Sequence, residues 1–117
     1  MQRGTYGVGA TLLWMIVNSV LAPTEVTAAS GQEIYQKRCQ SCHGPDGKGN
    51  PKLAEMLKLK AETLDLTTPA VLGKPEAELL KAIADGKGKM PPFGKTLGEQ
   101  DQRAVLTYIR QLAKGSR

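Results

Sequence analysis

Apolar residues recur at helical spacing in four stretches of the chain. Gly31 to about Cys42 places Ile34, Tyr35 and Arg38 on one face with Cys39 beside them, which predicts a first helix. Ser30 is its expected N-cap, and Glu33 is placed to complete a capping box. Lys52 to Leu59 predicts a short helix with Leu53, Met56 and Leu57 turned inward. Pro75 to Asp85 predicts the clearest internal helix: proline suits the first turn, Leu79, Leu80 and Ile83 line one side, and Gly86 ends it. From Glu99 to Ala113, the residues Val105, Tyr108, Ile109 and Leu112 form an apolar stripe. Glu99 and Asp101 at its start and Lys114 at its end suit the helix dipole.

The stretches between are turn chemistry. Gly44 to Pro51 is rich in glycine and proline, and Lys60 to Lys74 has no sustained period, with Thr67-Thr68-Pro69 marking a turn or the start of a helical turn. Gly86 to Gly98 reads as a loop. The pattern predicts one all-α domain of about four to five helices, with no repeats and no second domain.

The first residues do not belong to that domain. Arg3 supplies a positive start, Ala10 to Ala22 form an apolar run, and Pro23 opens a polar region, as in a secretory signal over residues 1–28. Cleavage after Ala28 or Ala29 satisfies the small-residue rule. The run is shorter than the ~20 apolar residues of a membrane span, and retention as an uncleaved membrane anchor is the alternative. The domain of residues 29–117 is then exported, and the periplasm is its expected compartment.

Composition changes the picture of the core. Aromatic residues are 4% of the chain, and after the signal only Tyr35, Phe93 and Tyr108 remain. A domain of about ninety residues so poor in aromatics struggles to build a core from its own side chains. The net charge of +5 survives removal of the signal, because Arg3 and Glu25 leave together. The lysines are scattered, which argues against nucleic acid and for solvated helix faces.

Both cysteines of the chain and its only histidine fall in one pentapeptide, Cys39-Gln40-Ser41-Cys42-His43. This order and spacing attaches a c-type haem: two thiols on one helical turn reach the vinyl groups along a porphyrin edge, and the next residue supplies imidazole to the iron. A thioredoxin-like disulfide would follow a strand, and no convincing strand precedes Cys39. Structural zinc needs four ligands, and the chain has no further Cys or His. A covalent haem also answers the missing aromatics, since it can serve as the core itself.

A second iron ligand has to come from elsewhere, and the candidates are Met56, Met90 or a lysine. Met56 sits at helical spacing between Leu53 and Leu57, where methionine is usually core filler. Met90 follows Gly88-Lys89 and precedes Pro91-Pro92, in a loop where amphipathic packing does not require a methionine and prolines stiffen the backbone. Met90 is the expected ligand. A His43/Met90 pair closes both axial positions and leaves outer-sphere one-electron transfer as the chemistry. A haem enzyme or gas sensor would need Met90 off the iron.

From Gly31 to about Lys114 the chain resembles the small bacterial class I cytochromes c. The resemblance is carried by Gly31 with Tyr35, Cys39 to Gly44, Gly47-Lys48-Gly49, Met90-Pro91-Pro92-Phe93-Gly94 and Tyr108-Ile109. It implies a small cytochrome c fold wrapped around one covalently bound haem; a monomer is the expected state. It also implies a close crossing of the first and last helices at Gly31, with Tyr35 and Tyr108 packed there. By the same resemblance a proline carbonyl accepts from the ligand histidine, and Pro51 is the best-placed candidate. The implied role is a monohaem electron carrier and not an enzyme. The implied partners are redox proteins with acidic docking surfaces, met by a rim of Lys48, Lys87, Lys89 and Lys95. A cytochrome subunit of a dehydrogenase or oxidase complex is the alternative role.

Overall fold

The computed structural model describes residues 28–115 together with Gly4, Gly7 and Gly9. Apart from those three glycines and Ala28, the expected signal lies outside the described residues. Among the described residues six α-helical segments follow one another: α1 (Ala28–Arg38), α2 (Gln40–His43), α3 (Pro51–Met56), α4 (Pro69–Leu72), α5 (Glu76–Asp85) and α6 (Glu99–Gly115). A 3-10 turn over Ala61–Leu64 lies between α3 and α4. Among the described residues there is no strand, and the fold is all-α as expected. None of these helices is long and apolar enough to cross a membrane.

The central packing is α1 against α6. Gly31 makes it close: a Cβ there would overlap the Ala104 carbonyl, so the backbones touch where a side chain would hold them apart. Beyond that point the Tyr35 and Tyr108 rings meet at 5.3 Å between centroids and 59° between planes, a tilted pair. Tyr35 and Val105 are fully buried, and with Ile83, Leu106 and Ile109 they form the core. Phe93, Met90, Leu79 and Leu80 pack against it from the α5 side. On the surface, Glu76 pairs with both Arg103 and Arg110 at 3.0 Å, joining the start of α5 to α6.

Three local expectations shift. The first helix begins at Ala28, two residues before its expected cap, and is interrupted at Cys39, although Cys39 N–H still donates to Tyr35 and His43 N–H to Cys39 at 2.9 Å each. The short helix starts at Pro51, whose ring occupies its first position, under an Asn50 cap that accepts from Leu53 N–H at 3.2 Å. Met56 on that helix is 78% exposed and not inward. The six-residue helix turns Ala54 into the protein, and Met56, two residues on, falls on nearly the opposite side.

Candidate functional site

The expected attachment segment, Cys39 to His43, is fixed from both ends. Upstream, α1 delivers Cys39 at its C-terminus. Downstream, Gly44 caps α2 at φ +77°, and its carbonyl accepts from the buried Tyr35 hydroxyl at 2.6 Å. His43 and Cys42 then bond to the returning loop, with Gly49 N–H on the His43 carbonyl at 2.7 Å and Asn50 N–H on that of Cys42 at 3.0 Å. Both cysteines are half-buried free thiols. Burial, with a smaller contribution from Cys42, pushes the Cys39 thiol up to about 11.

The histidine carries the most informative contact. Its Nδ1 lies 2.8 Å from the Leu64 carbonyl. A carbonyl only accepts, so Nδ1 bears the proton and Nε2 keeps the lone pair. Burial holds the imidazole below its usual range, only partly opposed by the bond to Leu64, which favours the neutral, metal-binding form. The expectation for Pro51 is corrected here: the acceptor is Leu64. Pro51 opens α3 and lines a separate groove with Gln36, Gln40 and Asn50. Nothing in the residue type signalled Leu64, because the functional group is a main-chain oxygen.

Met90 reaches the site from the other half of the molecule. The turn Lys87-Gly88-Lys89-Met90 is closed by reciprocal backbone bonds between Lys87 and Met90 at 3.2 and 3.0 Å. It is pinned to the end of α5, where Phe93 N–H donates to Ile83 and Gly94 N–H to Ala84. Gly86, at φ +74°, lies directly against the Met90 carbonyl, which a Cβ would overlap. The half-buried Met90 thus has a well-anchored backbone.

Cys39, Cys42, His43 and Met90 all line one cleft of about 980 Å³. Its walls include Leu57, Leu59, Leu64, Leu66, Val71, Leu79, Ala82 and Phe93. Met56 does not contribute. Two thiols on one turn, an imidazole with a free Nε2, a thioether on a second element and apolar walls between them fit a haem c.

The comparisons with known proteins agree. The sequence family described as "Cytochrome C oxidase, cbb3-type, subunit III" matches residues 26–109. The chain belongs to this cytochrome c family. Cytochrome c domains of this kind bind covalent haem c and transfer electrons. This cytochrome c domain is 35% identical over 86 residues to cytochrome c-551 of Bacillus subtilis, which covers 71% of this chain and 61% of that protein. It is 33% identical over 97 residues to the cbb3-type cytochrome c oxidase subunit FixP of Azorhizobium caulinodans, covering 80% of this chain and 30% of that protein. The CcoP subunit of Rhodobacter capsulatus is 35% identical over 100 residues, covering 78% and 31%. The chain therefore spans only about a third of the length of the oxidase subunits it resembles.

The charged rim differs from the expected one. Lys87 and Lys89 line the cleft of the cytochrome, but Lys48 and Lys95 do not; Arg38, Lys74 and Lys81 take part instead. Helical spacing on α5 brings two acids with them. Glu78 accepts from Lys74 and Asp85 from Lys81, each at 2.9 Å, and these bonds lower the Glu78 carboxyl and raise the Lys81 amine. Arg38, Lys87 and Lys89 stand outside the two pairs.

Proposed function

We propose that this domain carries single electrons between redox proteins in the periplasm, through one haem c attached by Cys39 and Cys42 and ligated by His43 and Met90. The observation that carries this reading is the convergence of those four side chains on one apolar-walled cleft. The haem, when bound, supplies an Fe(II)/Fe(III) couple. His43 offers Nε2 because Nδ1 is committed to Leu64. Met90 offers a soft sulfur that favours the ferrous state and raises the potential above that of a His/His pair. Held by both His43 and Met90, the metal would have no position open to small substrates. The leucines, Val71 and Phe93 exclude water, so little has to rearrange when an electron arrives.

Extraction tests the attachment. Acidified organic solvent should leave haem on the wild-type polypeptide and release it from the Cys39→Ala, Cys42→Ala double variant; release from the wild type would contradict the reading. For export, sequencing the N-terminus of protein purified without detergent should begin at residue 29 or 30. A chain that begins at Met1 and needs detergent would make the domain membrane-anchored.

A second reading keeps the chemistry and changes the setting. The matched family and the FixP and CcoP relatives are named as oxidase subunits, which favours a domain fixed in a dehydrogenase or oxidase complex. Co-purification with a stoichiometric set of partner subunits would support it over a free, monomeric carrier.

A further inference from the structure

The Leu64 carbonyl has to be aimed at His43, and we infer that Asp65 is the positioning residue that aims it and thereby sets the reduction potential. This inference rests on His43 being an axial ligand. The peptide unit joining Leu64 to Asp65 is held at both ends. Its carbonyl accepts from His43 Nδ1 at 2.8 Å and its N–H donates to the Glu62 carbonyl at 3.2 Å. Such a unit turns as a rigid plane, so the backbone at Asp65 determines where the carbonyl points. Asp65 restrains that backbone with its own side chain: Oδ1 accepts from the Thr67 N–H and from the Thr67 hydroxyl, both at 2.7 Å, closing an Asx turn. Leu66 in between is tied down by its N–H on the Gly47 carbonyl at 2.7 Å. On the far side Gly49 leaves no slack, since a Cβ there would come within 3.0 Å of the Leu64 Cβ.

The consequence is electronic. A carbonyl held firmly on Nδ1–H makes Nε2 a stronger donor, which stabilises the more highly charged ferric iron and lowers the potential. Loosening the turn weakens that bond and raises the potential. Asp65 is also a negative charge, and removing it raises the potential without any change of geometry. Asparagine and alanine separate the two effects, because asparagine keeps the acceptor oxygen and loses only the charge.

Potentiometric titration of the holoproteins, with optical spectra recorded alongside, tests this in the wild type, Asp65→Asn, Asp65→Ala and Thr67→Val. Asp65→Ala should raise the potential beyond Asp65→Asn. Thr67→Val keeps the N–H bond and loses the hydroxyl bond, so it should raise the potential by less than Asp65→Ala. The His43 Nδ1 proton should exchange with solvent faster in Asp65→Ala than in Asp65→Asn. Equal potentials for the two Asp65 variants, all spectra staying low-spin with methionine ligation, would overturn the positioning role and leave the ligand assignment standing. A wild-type spectrum without low-spin iron would overturn the ligand assignment and this inference with it.

Discussion

The Tyr35 hydroxyl donates to the Gly44 carbonyl at 2.6 Å, and the whole attachment segment, Cys39 to His43, lies between them. The bond turns a helix end and its following turn into a closed clamp around the cysteines. Tyr35→Phe keeps the ring contact with Tyr108 and removes the shorter of two bonds to the Gly44 carbonyl, leaving the one from Gly47 N–H at 3.3 Å. The expected loss is about 0.5–1.5 kcal/mol of stability, measured by denaturant unfolding of the holoprotein near neutral pH.

The same phenol predicts a pH dependence. An unfolded tyrosine ionises near pH 10, while burial, first among its causes, holds Tyr35 above its ordinary value in the fold. The folded state keeps a proton that the unfolded state gives up. The stability this contributes is complete below about pH 10 and is lost as pH rises towards the folded value. Unfolding midpoints at about pH 8 and pH 11 should therefore fall further in the wild type than in Tyr35→Phe; equal falls would show that Tyr35 does not titrate with folding.

Lys58 ends α3 in the left-handed region at φ +55°, where its N–H bonds to Glu55 and the N–H of Leu59 to Ala54. A side chain is strained there and glycine is not. Lys58→Gly should raise stability by up to about 1 kcal/mol, seen as a higher melting temperature, whereas Lys52→Gly inside the same helix should lower it.

The redrawn rim makes a sharper statement about partners. Exposed cations steer association with an acidic protein, and salt screens them. Replacing Lys87 and Lys89 by glutamine should flatten the salt dependence of electron transfer to an acidic partner. The Lys48, Lys95 double variant should not, because neither residue lines the cleft. Identical salt slopes for both pairs would remove the cleft rim as the docking surface.

Much of this was legible in the residues. Period alone placed Ile83, Val105 and Ile109 in the core, and side-chain chemistry singled out Cys39, Cys42, His43 and Met90, which the fold brings to one cleft. Gly31 and the Tyr35/Tyr108 pair were legible through resemblance, and both sit at the α1/α6 crossing. Leu64 was not legible, because a backbone oxygen leaves no signature in residue type, and Pro51 was drawn away from the role by opening α3. Met56 misled because a two-turn pattern is too short to say which side of a six-residue helix faces inward. The cations on and just before α5 were missed because Lys81 and Lys74 read as an ordinary solvated face until the cleft was seen beside them.

The central claim is that Met90 and His43 together close the iron. Ferric c-type haem with a methionine ligand shows a weak far-red charge-transfer band, and one optical comparison settles the matter. The band should be present in the wild type, vanish in Met90→Ala and persist in Met56→Ala. Its survival in Met90→Ala, or high-spin ferric iron in the unmodified protein, would contradict the account.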